Sequence, residues 1–149
     1  MGGMTSEPIT SEIVICPHCG GANRVARERL ADGPQCGKCH KGLFTGHPLA
    51  VNAAAFAAHV HRGTLPVLVD FWAPWCGPCR SMAPAYEQAT AALEPFIRVV
   101  KVDTEAEQGL GATYGIRSIP TLMLIHGGSE IRRQAGAMDA RRIIEWARG

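Results

Sequence analysis

The chain has no long apolar run: none of its hydrophobic stretches approaches the roughly 18 residues that a membrane-spanning helix needs. It also has no excess of either charge. Fifteen Lys and Arg stand against 13 Asp and Glu, which gives no electrostatic reason to expect a nucleic acid or an anionic membrane surface as partner. The first ten residues, MGGMTSEPIT, hold no basic stretch followed by an apolar one, so no secretory leader is expected and the expected compartment is the cytoplasm. Charged residues make up only 19% and hydrophobic residues 46%, a balance that excludes a disordered chain. With 149 residues there is room for one ordinary domain and a small appendage, but not for two full domains.

Cysteine is scarce as well, and its placement is informative. Six cysteines in 149 residues is about 4%, below the roughly 8–10% that marks a disulfide scaffold. All six fall into pairs with two residues between partners: Cys16 and Cys19, Cys36 and Cys39, Cys76 and Cys79. In a reducing compartment such pairs indicate metal or redox chemistry rather than structural bridges.

The texture of the chain changes at about residues 46 to 50. Before it, from Ile15, the sequence is rich in Gly, Cys and short polar stretches and reads as turns with short hairpins, with almost no apolar core of its own. After it, helical and extended patterns alternate. Asn52 can cap a helix over 53–60 that Arg62-Gly63 ends. Val67 to Phe71 reads as a central strand, and about Cys76 to Leu93 as a helix with Pro84 inside it. Ile97 to Asp103 is a second strand and Glu105 to Tyr114 a helix. Thr121 to Ile125 and Glu130 to Gln134 flank His126-Gly127-Gly128-Ser129, a hairpin turn signal, and Asp139 caps a last helix over 140–147. That order predicts an α/β fold, a mixed sheet with helices on both faces.

The first two pairs have the spacing of a four-cysteine zinc ribbon, with 16 residues between Cys19 and Cys36. Two residues between cysteines let one tight turn aim both sulfurs at a point about 2.3 Å away, and two such turns complete a tetrahedron. Gly20 and Gly37 are the residues expected to permit these turns. Two disulfides or a redox relay are the alternatives, but a segment this poor in apolar residues needs a metal to hold its shape. His18 and His40 also lie inside the knuckles, although four cysteines already fill the shell. A filled shell makes the expected zinc structural, with Arg24, Lys38 and Lys41 near enough in sequence to offset its thiolates. The near-neutral balance of residues 1–47 speaks against nucleic-acid binding by the ribbon.

Cys76-Gly77-Pro78-Cys79 follows an apolar strand and opens a helix, where free N–H groups and the helix dipole favour a thiolate. Pro78 in the first turn stiffens it without losing a hydrogen bond. The spacing places both sulfurs within reach of a small disulfide ring.

The run Val69-Asp70-Phe71-Trp72-Ala73-Pro74-Trp75-Cys76-Gly77-Pro78-Cys79-Arg80 is similar to the active-site stretch of thioredoxin. Ala83-Pro84, the segment Tyr114 to Thr121, and Ala135-Gly136-Ala137 match further thioredoxin segments in the same order. With the four-cysteine ribbon in front, the chain resembles the zinc-carrying bacterial thioredoxin 2 subfamily. The resemblance implies a zinc-ribbon segment over residues 1–46 and a thioredoxin fold over 47–149. It also implies a protein-disulfide reductase recycled by an NADPH-dependent flavoprotein reductase, acting as a monomer on disulfide-containing proteins. In that reading Cys76 is the exposed nucleophile, Cys79 the buried resolving thiol, Asp70 the carboxylate that takes its proton, and Pro120 a cis-proline beside the dithiol. Trp75, Gly77, Pro78, Ile119 and Gly136 would form the docking surface, and Trp72 would pack in the core. Many relatives carry a lysine near the aspartate. The register read from this sequence puts Val99 at that place, leaves Lys101 without the role, and so makes Asp70 harder to ionise. Pro74 stands where an acidic residue is common.

Two other functions compete with reduction. One is oxidation or isomerisation of disulfides, which the Gly-Pro between the cysteines disfavours. The other is a zinc-gated holdase whose ribbon opens on oxidation. The ribbon and the α/β part are expected to have separate cores.

Overall fold

A computed structural model describes residues 10–149; the N-terminal stretch read above for a leader lies largely outside the described residues. The ribbon is built from two hairpins, one for each knuckle. Strands β1 (Ser11–Ile15) and β2 (Ala22–Ala26) pair antiparallel and carry the first knuckle as their loop. A bridge between Gln35 and Gly42 closes the second.

The remainder is a five-stranded mixed sheet, in the order β3 (Leu49–Ala50), β5 (Arg98–Asp103), β4 (Val67–Trp72), β6 (Thr121–His126), β7 (Ser129–Ala135). β4 runs parallel to β5 and antiparallel to β6. Period two along β4 decides what each face receives. Val67, Val69 and Phe71 point to the side covered by α1 (Ala53–Ala57) and α3 (Gln108–Thr113), packing with Phe56, Val100, Val102 and Tyr114. Leu68 points to the other side, against α2 (Gly77–Leu93) and α4 (Ala140–Arg148), with Tyr86, Val99, Leu122 and Ile143. Asp70 has the parity of Leu68, so a carboxylate is directed into the α2 face.

Local chemistry explains most element ends. The Asn52 side chain accepts from the N–H of Ala55, and that of Asp139 from Arg142. After Ala57 the first helix widens into a π-helical turn over 58–62 before Gly63. Gly127 and Gly128 both have positive φ, 62° and 79°, as a tight hairpin with the sheet's twist requires. α3 begins at Gln108, later than the expected Glu105: the Asp103 side chain ties the N–H groups of Glu105 and Ala106 into a turn, and Gly109 and Gly111 are weak helix formers.

Two expectations about the ribbon are corrected. It has a small core of its own, with Val14, Val25, Leu30 and Leu43 buried beside Cys16 and Cys36, and that core is not separate, because Leu65 from the approach to β4 completes it. The second link is Arg98. Its side chain is only 2% exposed, and its Nη2 donates to the carbonyl of Ile15 at 2.9 Å while its guanidinium lies 4.7 Å from the ring centre of Phe44. Burial pulls Arg98 down to about 10, against the opposing charges of Glu94 and Cys16.

Candidate active site and metal centre

β4 delivers the chain to Trp72, and Ala73 to Trp75 turn it into α2. Cys76 is the cap of that helix: its Sγ accepts from the N–H of Cys79 at 3.2 Å and lies 3.8 Å from the carbonyl of Ile119. Gly77 and Pro78 are exposed in the first turn. Cys76 and Cys79 form a disulfide with Cα atoms 5.3 Å apart. The expectation of an exposed nucleophile needs correction for this oxidised form. Cys76 is 5% exposed and Cys79 3%, because Trp72, Ala73 and Ile119 pack around the bond.

The Ile119–Pro120 peptide bond is cis, and the carbonyl of Pro120 accepts from Gly136 N–H at 2.9 Å. Trp75 is 66% exposed at the edge of an open groove of about 430 Å³. Ile119 lines the same groove, whose far wall is made by Ile116 to Ser118 and by Gln108, Gly111 and Ala112 of α3. The α3 residues were not singled out in the sequence, where nothing local marks them.

Asp70 lies behind the disulfide. It is 4% exposed and shares a chamber of about 140 Å³ with Cys79 and Lys101. Its Oδ1 has no hydrogen-bond partner among the described residues. Burial pushes its carboxyl up to about 7, and the charge of Lys101 opposes that rise without cancelling it. Here the register expected from sequence fails: Val99 pairs with Leu68, and Lys101 lies directly across from Asp70. The cation is therefore present, and it also lies over the ring of half-buried Trp72, 4.9 Å from its centre.

The four ribbon sulfurs lie within 4.8 Å of one another, with Cys16 to Cys39 at 3.6 Å and Cys19 to Cys36 at 3.5 Å. Ligands about 2.3 Å from one centre at tetrahedral corners would be about 3.8 Å apart, so the set fits a zinc ion. The two knuckles repeat the same bonds. Cys16 N–H donates to Gly21 O and Gly20 N–H to Cys16 O, while Cys36 N–H donates to Lys41 O and His40 N–H to Cys36 O. Gly20 and His40 hold equivalent places, both at positive φ, so His40 and not Gly37 makes the second turn. Neither His18 nor His40 joins the sulfur cluster. N–H groups of Cys39 and Lys38 pull the Cys36 thiol down to about 6. Against the N–H of Lys41, burial and the neighbouring thiols Cys16, Cys19 and Cys36 push Cys39 up to about 11, so the four sulfurs crowded together do not share one protonation state.

Residues 47–149 match the Thioredoxin family, and residues 15–41 match the zinc-ribbon family described as Thioredoxin 2, N-terminal. The chain belongs to the thioredoxin family. It is 42% identical over 134 residues to Thioredoxin C-3 of Corynebacterium nephridii, which covers 90% of this chain and 92% of that protein. It is 47% identical over 88 residues to the thioredoxin of Pyropia yezoensis, covering 59% of this chain and 82% of the relative. Among solved structures it is similar to a mutant thioredoxin from Halobacterium salinarum NRC-1, with a TM-score of 0.63 at 28% identity, covering 70% of this chain and 90% of that one. The fold is therefore the thioredoxin fold preceded by a zinc ribbon, and the chain is a thioredoxin-type thiol–disulfide oxidoreductase. Disulfide-containing proteins and a reductase are the partners that membership of this family implies. Among the described residues no helix is long and apolar enough to cross a membrane.

Proposed function

We propose that this thioredoxin works as a cytoplasmic protein-disulfide reductase, with the ribbon over residues 1–46 and the catalytic domain over 47–149. The observation that carries the reading is the Cys76–Cys79 bond at the mouth of α2, backed by a buried carboxylate in the chamber that Cys79 also lines. Reduced Cys76, capping the helix, attacks a sulfur of the target disulfide and displaces the first target thiolate. Asp70 takes the proton of Cys79, whose thiolate then attacks Cys76 Sγ, displaces the second target thiolate and restores the ring. A carboxyl near neutrality is suited to that transfer, since it can accept and return a proton at working pH.

An extended segment of substrate lies against the Pro120 loop, with Trp75, Gly77, Pro78, Ile119 and Gly136 as docking surface. The exposure of Trp75 beside a buried sulfur pair supports this. One zinc ion held by Cys16, Cys19, Cys36 and Cys39 would close the ribbon and stabilise its fold; the complete sulfur shell supports a structural role. Electrons come from an NADPH-dependent flavoprotein reductase, and the protein acts as a monomer. The test is reduction of insulin with NADPH and a thioredoxin reductase: Cys76→Ser is expected to abolish turnover, and undiminished turnover would end the reading.

A further inference from the structure

The chamber behind the dithiol has one wall that the thioredoxin sheet and α2 do not supply. Asp70 and Trp72 come from β4, Lys101 from β5, and Cys79, Tyr86 and Glu87 from α2, whereas Pro48 belongs to the segment that leaves the ribbon. That segment is tied along α2 at two points. Gly46 N–H donates to Glu94 Oε1 at 2.9 Å, and His47 Nδ1 lies 2.6 Å from Glu87 Oε1. Glu87 and Glu94 are seven residues apart, about two turns, and so share one face of the helix. On its far side the segment continues into β3, where Ala50 pairs with Lys101 and Val51 N–H donates to the Lys101 carbonyl at 3.1 Å. Pro48 is thus fixed between α2 and β5 at the outer edge of the chamber.

The ties are unequal. The Glu94 side chain is 6% exposed, but those of Glu87 and His47 are 47% and 71% exposed. A hydrogen bond in that much water is a weak latch. The groups facing Asp70 are then Lys101 from β5, with Cys79, Arg80, Tyr86 and Glu87 from α2, and His47 at the rim beyond Glu87. Lys101 and Arg80 are cations and accept no proton. Burial holds the Tyr86 hydroxyl well above its ordinary value, and it is engaged with the carbonyls of Leu68 and Val100. Glu87 is the remaining carboxylate on the wall, and it reaches water.

We propose that the Gly46–Pro48 segment is a strap closing the proton chamber of the dithiol, and that Glu87 at its rim is the positioning residue through which the proton of Asp70 exchanges with solvent. The inference rests on the assignment of Asp70 in the proposed reaction. In that reaction two electrons pass from the dithiol to the target disulfide. The Cys79 proton goes to Asp70 as the second sulfur bond forms, and it then leaves past Glu87 to water, where the released target thiolate regains one. The segment that joins the ribbon to the thioredoxin domain in this way forms part of the catalytic enclosure.

The experiment follows the two releases of thionitrobenzoate from Ellman's reagent by the reduced, zinc-loaded protein, using stopped flow between about pH 5 and 9. The first release reports attack by Cys76 and the second reports attack by Cys79. Glu87→Gln is expected to slow the second release about fivefold and to displace its pH profile, leaving the first unchanged. Pro48→Gly is expected to admit water and lower the midpoint of that profile by about one pH unit. If Asp70→Asn slows the second release while either of those variants keeps the wild-type profile, the strap is refuted and the dithiol reading stands. If Asp70→Asn leaves the second release unaltered, the assignment of Asp70 fails and the strap falls with it.

Discussion

Replacing Asp70 with Asn should stabilise the oxidised protein, and by an amount that depends on pH. The carboxyl is buried with Oδ1 unpartnered, and its pKa is raised from 3.8 in an ordinary setting to about 7. A carboxyl raised in this way opposes folding whenever the unfolded chain would ionise it. The penalty is absent below the unfolded value, grows from about pH 4 upward, and levels off above about 7. At about 1.4 kcal/mol per pH unit, the interval from 3.8 to about 7 is worth about 4 kcal/mol when fully developed. Asn keeps the shape and removes the ionisation, so the variant should gain about 4 kcal/mol at pH 9 and about 2 kcal/mol at pH 5. Urea unfolding of the two proteins, followed by tryptophan fluorescence, measures the difference, and any linkage to the ribbon thiols is common to both and cancels. An equal gain at the two pH values, or none at pH 9, would refute the claim that Asp70 is buried at a cost in charge.

Three other outcomes follow from the same geometry. Cys79→Ser should stop the reaction after the first attack and accumulate a covalent adduct with insulin at Cys76, visible by mass spectrometry; free turnover by that variant would remove Cys79 from its role. Trp75→Ala should raise the KM for a protein disulfide about fivefold while leaving Ellman's reagent unaffected, as expected if the exposed indole touches only large substrates. Stripping the ribbon metal with a chelator should expose residues 15–45 to hydrogen exchange but leave measurable dithiol turnover. It should also lower the stability of the thioredoxin domain by about 2 kcal/mol, because buried Arg98 loses the Ile15 carbonyl. A catalytic domain of unchanged stability would show that Arg98 does not couple the two parts.

Local signals carried far in this protein because its chemistry is local. A Cys-x-x-Cys turn positions its sulfurs within four residues, so the clustering of the four ribbon cysteines and the closeness of the dithiol could be read directly from spacing. The same holds for the glycine pair at Gly127-Gly128 and for the caps at Asn52 and Asp139, each settled within one turn of backbone.

Strand register is a different matter, since it depends on which residues from distant parts of the chain lie side by side. Only the assembled sheet set Lys101, rather than Val99, across from Asp70. Only the docking of the ribbon buried Arg98 beneath Ile15 and Phe44, and only the path of residues 46–48 between α2 and β5 laid Pro48 over the chamber. The closeness of Cys76 and Cys79 was written in the sequence, whereas part of their shielding from water comes from Ile119, forty residues away, and had to wait for the fold. Bond-forming partners were decided by short-range backbone geometry, and the environment that tunes them was decided by packing across the chain.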